Sequence, residues 1–331
     1  MCGKLFFYEP LVRERLSRHY GMENPFVELG MHIFAVEAMP AADFCPPSAP
    51  PPREMVETVD EFGVRWRYSS YGARYPVGHP LAEPTLTGYR WPNPEAAGRF
   101  DHIPDVIAAH GDRFIVAAVD NTLFERAYFL RGFEEFLTDM ALRPRFVHEL
   151  LDRVLAFNLA ILERMLEFPV DGVWFGDDYG HQGGLIVSPR MWRAFIKPRL
   201  ACLIERARQA GLPVFLHSDG AVSSLIPDLL EIGLNVLNPC QPEAMELAVL
   251  KREYGRRLCF CGGISTQRVI SQGTPDDVEA ELRQKIKLLA CGGGYVVATA
   301  GSVQADVPLP NLVRLLDLLR HQDKRPLNAS G

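Results

Sequence analysis

"PVFLHSDG", residues 213 to 220, leads four mostly apolar residues into a histidine, a serine, an aspartate and a glycine. A short apolar run of this kind predicts a buried strand. Side chains two apart on a strand point to the same face, so His217 and Asp219 aim together from the strand's end.

The same pattern repeats outward from this strand. From residue 113 onward short β-branched runs precede long amphipathic ones: "RFIVAAV" (113–119), "DGVWFG" (171–176), "LNVLN" (234–238), "LCFC" (258–261) and "YVVATA" (295–300). Helical candidates lie between them. In "SPRMWRAFIKPRLACLIERARQAG" (188–211) Ser188 is placed to cap, Pro189 sits in the first turn, Gly211 terminates, and Pro198 is expected to interrupt or kink the helix. Six strand-then-helix units, with one or two more strands before residue 110, predict an α/β fold, a (β/α)8 TIM barrel. An open doubly wound sheet would carry a glycine-rich phosphate turn after its first strand. "CGGGY" (291–295) precedes its strand instead and reads as a helix-to-strand turn.

Residues 1–110 read differently. "CPPSAPPPRE" (45–54) is proline-rich, "ETVDEFGVRWRY" (57–68) alternates like a hairpin around Gly63, and "YRWPNP" (89–94) is loop-like. We expect one domain over 1–331, with an elaborated, irregular N-terminal region over 1–110 and regular β/α units over 111–320.

The chain's 331 residues, 47% hydrophobic and 23% charged, suit a single large core. Its net charge of −6 comes from 41 acids against 35 bases without a run of like charges, which disfavours nucleic acid and anionic membranes as partners. "MCGKLFFYEP" lacks the apolar core of a secretion signal, and no stretch reaches the roughly 18 apolar residues of a membrane span. A cytoplasmic location is expected. Seven cysteines, an odd number, then read as free thiols or ligands.

Chemistry in a barrel sits at the C-terminal ends of its strands. Those ends read Asp120 and Asn121, Asp177 and Asp178, His217 and Asp219, Asn238 with Cys240 and Gln241, Cys261, and Thr299. Asp and Asn also begin helices everywhere, so Asp120, Asn121 and Asp178 taken singly serve equally well as caps. His217 differs, because a histidine closing an apolar strand needs a partner, which Asp219, Cys240 or Cys261 can supply.

Several stretches, taken in order, give a resemblance over roughly residues 113–320: "GFEEFLTDMALRP", "GVWFGDDYGHQGGLIVSPRMWRAFIKPRL", "PVFLHSDG", "LIPDLLEIGLNVLNPCQPEAM", "CGGISTQ" and "GGGYVVATAGSVQADVPLPNL". Together they resemble the uroporphyrinogen decarboxylase superfamily, which also contains cobalamin- and coenzyme-M-linked methyltransferases. The resemblance implies a distorted (β/α)8 barrel whose N-terminal hundred residues cover the cleft mouth. True uroporphyrinogen decarboxylases begin with an arginine-rich segment and carry a late histidine. Here Arg13, Arg15 and Arg18 read as an exposed helix face and Gly301 stands in the late loop. A substrate with eight carboxylates needs several inward cations, so we expect no decarboxylation of uroporphyrinogen.

The chain looks closer to the corrinoid-linked methyltransferase branch, whose zinc segment reads His, any residue, Cys, Gly. Asp219 replaces that cysteine, and the branch's later cysteine ligand is missing at Ala300, Gly301 and Ser302. The metal set carried over is His217 and Asp219 with the third ligand unaccounted for; Cys261 or Cys240 would supply it from neighbouring strands. Buried cysteines equally serve as small hydrophobes. The resemblance further implies zinc, a corrinoid on a separate protein, a small-molecule substrate and a possible homodimer. Asp177, Asp178 or Glu125 would supply a proton. Asn238, Gln241, Cys240, Asn121 and Tyr179 would contact substrate. A His/Asp set is harder than His/Cys/Cys and suits polarisation of an oxygen or nitrogen leaving group. The expected reaction is methyl transfer or demethylation. A metal-free decarboxylase or lyase on a small acid, and a non-catalytic barrel that binds a corrinoid or partner, remain the alternatives.

Overall fold

The computed structural model describes residues 10–23, 25–29, 31–44, 56–68 and 74–320. Seven parallel strands form its main sheet: β1 (Ile33–Glu37), β5 (Phe114–Asp120), β6 (Gly172–Gly176), β9 (Val214–His217), β10 (Val236–Asn238), β11 (Cys259–Ile264) and β12 (Tyr295–Thr299). The intervening strands are β2 (Glu57–Val59), β3 (Arg65–Tyr68) and β4 (Arg74–Gly78), which form an antiparallel sheet, and the two-residue pair β7 (Gly180–His181) and β8 (Gly184–Leu185). Each expected run from 113 onward is a strand, and β1 is the one before residue 110. The proline-rich 45–54 lies outside the described residues.

Spatial order in the main sheet follows chain order, β1-β5-β6-β9-β10-β11-β12. A doubly wound sheet reverses order at a switch point. None occurs here, so the architecture is TIM-barrel-like. The expected count of eight needs correction: among the described residues seven strands pair, and β12 and β1 are the two ends. After β12 the chain forms the helix Leu309–Arg320 instead of another strand. Its Leu312, Leu315 and Leu316, with Val12 and Leu16 of the helix Pro10–Tyr20, share one apolar core with the inner-face residues Ile33, Val116, Trp174 and Phe215. Helices therefore close the flank that an eighth strand would occupy.

Alternation sorts the strand side chains into two layers. Ile115, Ala117, Val173, Phe175, Val214 and Leu216 face outward into the core formed with the helices Pro144–Met165 and Lys197–Gln209. The other parity faces inward and ends in polar groups. The 188–211 segment is interrupted as expected. Ser188 Oγ accepts the Met191 N–H at 3.3 Å, and the first helix, Pro189–Phe195, stops before the second, Lys197–Gln209. The break falls at Ile196, because Pro198 sits in the second helix's first turn, where its missing N–H costs nothing. "CGGGY" is a turn, with Gly292, Gly293 and Gly294 all at positive φ.

The hairpin around Gly63 forms, with Thr58 opposite Trp66. Asp60 organises it: Oδ1 accepts the Phe62 and Val64 N–H groups at 3.0 and 2.9 Å, and Oδ2 accepts Trp66 Nε1 at 3.0 Å. This small sheet lies against the C-terminal ends of the barrel strands and lines the cleft there. Arg13 and Arg18 are exposed on the helix Pro10–Tyr20, away from any inward-facing cluster, while Arg15 is half-buried and donates to Ala305 O.

Candidate metal centre and cleft

One row of residues crosses the sheet at the strand ends. Asp120 pairs with Gly176, Gly176 with His217, and His217 with Asn238. Gly176 is required in this row: a Cβ there would sit 2.4 Å from Asp120 Oδ1, so the missing side chain is the space the carboxylate fills. Beneath the row Trp174 stacks on His217 with ring centroids 6.2 Å apart, which fixes the plane of the imidazole.

Alternation also separates the two acids after β6. Trp174 and Gly176 face inward, so Asp178 continues inward and Asp177 turns toward the helices. Asp177 is fully buried, and its carboxylate accepts three backbone N–H groups, from Leu123 at 3.1 Å and from Phe124 and Glu125 at 2.8 Å each. It caps the helix Phe124–Arg131. This corrects its expected role as a proton source, since both oxygens are committed to the backbone.

Asp178, His217 and Asp219 converge: one ligand atom from each lies within 4.8 Å of the others. His217 Nε2 is 3.8 Å from Asp178 Oδ1, and that oxygen accepts the Asp219 N–H at 2.8 Å. Tetrahedral zinc with bonds of about 2.0–2.1 Å sets its ligand atoms about 3.4 Å apart, so small side-chain movements suffice. Among the described residues Asp219 Oδ1 is buried without a hydrogen-bond partner, as expected of a ligand atom and not of a cap. Asn238 sets the imidazole tautomer. Its Nδ2 donates to Cys261 O at 3.0 Å, which turns its Oδ1 toward His217 Nδ1 at 2.7 Å. His217 then donates through Nδ1 and presents Nε2 to Asp178, the second-shell arrangement of a metal-ligating histidine.

The structure brings His217 and Asp219 together and sets Asp178 beside them, while Cys261 is not in this group. Cys261 is buried on β11 and behaves as core. Cys240 is also buried, outside the cleft lining: its thiol donates to Leu237 O at 3.1 Å, and burial pushes it well up from its usual range. Gln241 Oε1 accepts the Gly220 N–H at 3.2 Å and holds the turn after β9. Asn238 is engaged by His217 and by the Cys261 carbonyl. Tyr179 packs edge-on against Trp192 and Phe124, with centroids at 5.6 and 6.4 Å, in the core behind the cleft. Of the expected substrate contacts only Asn121 lines the cleft.

The cleft has a volume of about 510 Å³ and is lined on its floor by Asp120, Glu125, Asp178, His217 and Trp174. Its other wall, from the N-terminal region, carries Asp60, Trp66, Tyr68 and Arg74, with Arg126 between the two. Sequence reasoning missed this wall, because nothing in 57–78 marks which side chains face the barrel. Like charge crowds the floor. Burial holds the Glu125 carboxyl well above its ordinary value, and the charges of Asp178, Asp177 and Asp120 add to it. Burial also raises Asp219, against the pull of His217, and pushes Asp177 up to about 7 despite its N–H donors. Burial alone would lower the His217 imidazole; the Asp219 and Asp178 carboxylates and the Asn238 hydrogen bond outweigh it and hold it raised.

These directions share one sign. Up to about pH 7 the folded chain retains a proton on Asp177 that the unfolded chain has lost, and Glu125 and Asp219 are shifted in the same direction, so stability falls as pH rises above the ordinary carboxylate range. His217 acts the same way, its contribution being present below the unfolded value near 6.5 and lost above the folded one. Acids with lowered values, such as Asp228 beside Arg193 and Lys197, lose their contribution only in stronger acid. Metal-free protein should melt on the order of 5 °C higher at pH 5.5 than at pH 8 in differential scanning calorimetry. Added zinc should shrink the difference by neutralising the acids at high pH.

A TIM-barrel-like sheet thus places a half-buried His/Asp cluster at its strand C-termini, on a polar floor that faces the small antiparallel sheet. The chain belongs to the uroporphyrinogen decarboxylase (URO-D) family, whose model matches residues 115–322. Among solved structures it is similar to a methyltransferase from Methanosarcina mazei, at 20% identity and a TM-score of 0.63 over 80% of this chain and 76% of that one. A second comparison, with "Native KDPGal structure", reaches a TM-score of 0.30 at 14% identity over 69% and 78% of the two chains, a level from which no structural equivalence follows. No curated protein sequence matches the chain. Among the described residues no helix is long and apolar enough to cross a membrane.

Proposed function

We propose that the chain is a metal-assisted methyltransferase or demethylase that moves a methyl group between a small O- or N-methylated substrate and a corrinoid carried by a separate protein. The convergence of Asp178, His217 and Asp219 carries this reading, with His217 Nε2 turned toward an aspartate by Asn238. A neutral Nε2 lone pair facing a carboxylate is unfavourable unless a positive charge lies between them, and a divalent ion supplies one. That a methyltransferase carries the same fold makes the chemistry compatible with the scaffold.

Asp178, His217 and Asp219 would hold a zinc ion, which supplies Lewis-acid polarisation of the leaving oxygen or nitrogen. Glu125, held protonated by its surroundings, is placed on the same floor to give its proton to that heteroatom as the bond to the methyl carbon breaks. Asp178 is thereby a ligand, and the proton falls to Glu125. Trp174 and Trp66 line the cleft beside these groups.

The raised His217 supports a second reading, in which a metal-free imidazolium beside Asp178 works with Glu125 as an acid/base set in a lyase or decarboxylase. Elemental analysis of the purified protein separates the two. The metal reading expects about one zinc per chain after dialysis against buffer. None retained, with undiminished turnover of a small acid, would favour the lyase.

A further inference from the structure

The cleft contains three arginines, and they are not equivalent. Arg99 is spent. Its guanidinium pairs with both oxygens of Glu61, at 2.8 and 2.6 Å, and donates also to Met39 O and Asn93 O. Arg126 makes one polar contact among the described residues, Nη1 to Asp60 Oδ2 at 3.2 Å, while its Cζ lies 4.0 Å over the Phe62 ring. Asp60 already serves three other donors, so it compensates Arg126 in part. Arg74 has no ion pair among the described residues, and its Cζ lies 4.5 Å over the Trp66 ring. Both side chains line the cleft that holds His217 and Asp178.

We propose that Arg74 and Arg126 form an anion subsite on the cleft wall, which takes the carboxylate or an equivalent oxyanion of the substrate while its methylated end lies at the His217 floor. The second half of that statement rests on the methyl-transfer reading; the subsite itself does not. Two guanidiniums facing one space cost energy unless an anion shares it, and planar N–H forks suit a carboxylate. The like charge is felt already: burial holds Arg126 below its ordinary value, Asp60 raises it and Arg74 lowers it again. Stacking fixes both guanidiniums, so little entropy is lost on binding. Phe62 and Trp66 carry guanidiniums on their rings, which disfavours their use as a cage for a methylammonium group. With a net charge of −6 and an acidic floor, the chain attracts an anion nowhere else in this cleft.

The test uses benzoate, with benzamide as its neutral isostere, on the full-length metal-free protein, with dissociation constants from ligand-observed NMR. Benzoate should bind about tenfold tighter than benzamide, and its affinity should fall with added salt. Arg74→Gln and Arg126→Gln should each weaken benzoate about tenfold and leave benzamide unchanged, while Arg74→Lys restores part of the loss. Arg74 is exposed, so its variants keep the fold and decide the matter even if Arg126→Gln is destabilised. Equal affinity for benzoate and benzamide, or benzoate binding indifferent to Arg74→Gln, overturns the subsite. Loss of benzoate binding in His217→Ala but not in Arg74→Gln overturns it too, by placing the anion on the floor. Zinc content, measured separately, reports on the metal reading alone.

Discussion

His217→Ala and Asp219→Ala should each abolish retention of zinc through dialysis, and the double variant should be little worse than either single. The three ligands act as a unit, so removing one leaves two that cannot hold the ion against solvent, and a second deletion has little left to remove. Second-shell losses at zinc sites already cost roughly 10–100-fold in affinity. Direct ligands should cost more than about 100-fold. Asn238→Ala should fall in that second-shell range, because it frees the imidazole to turn and to exchange tautomers. Cys261→Ser should leave zinc retention as it was. Competition with a chromophoric chelator measures all of these on one scale. Normal zinc retention in Asp219→Ala would mean that this side chain has another role.

Asp177→Ala should be the most destabilising single change among the strand-end acids. It removes the acceptor of three N–H groups at the start of the helix Phe124–Arg131 in a buried setting. Orphaning buried donors costs about 1–3 kcal/mol each when nothing replaces the acceptor. Relief of repulsion with Asp178 offsets part of this, leaving about 2–4 kcal/mol net. The melting temperature should drop by about 5–10 °C. Asp177→Asn should lose less, since its carbonyl oxygen still accepts. Turnover should fall with the stability, because this helix carries Glu125 and Arg126 into the cleft, yet zinc retention should persist. An Asp177→Ala protein of unchanged stability that is nonetheless inactive would return Asp177 to the chemistry.

The contrast between these two aspartates marks how far the sequence could be read. Strands β5, β6, β9, β10, β11 and β12 were legible because their short, mostly apolar runs alternate with long amphipathic ones. His217 and Asp219 were legible as a pair because two-residue spacing on a strand has one geometric meaning. That logic also reaches Asp178 through Trp174 and Gly176, but it needs to be known which parity of β6 faces inward. Without it Asp177 and Asp178 were interchangeable. With the family's late cysteine missing, Cys261 is the expected third ligand from a neighbouring strand, whereas the residue that stands beside His217 and Asp219 is Asp178 at the end of β6. Gln241 and Cys240 meet local backbone needs, a turn at Gly220 and an acceptor at Leu237 O, which take polar side chains as readily as a substrate does, so the sequence alone does not separate the two roles. The wall of the cleft was not legible at all. Arg74 and Trp66 reach it through a hairpin whose position over the barrel is a long-range property.

X-ray absorption spectroscopy of the zinc-loaded protein tests the metal centre most directly. The Asp178, His217 and Asp219 set predicts nitrogen and oxygen scatterers at about 2.0–2.1 Å, one imidazole in the outer shell, and no sulfur. A sulfur scatterer at about 2.3 Å would contradict it, because a cysteine would then be coordinating where the structure places aspartate.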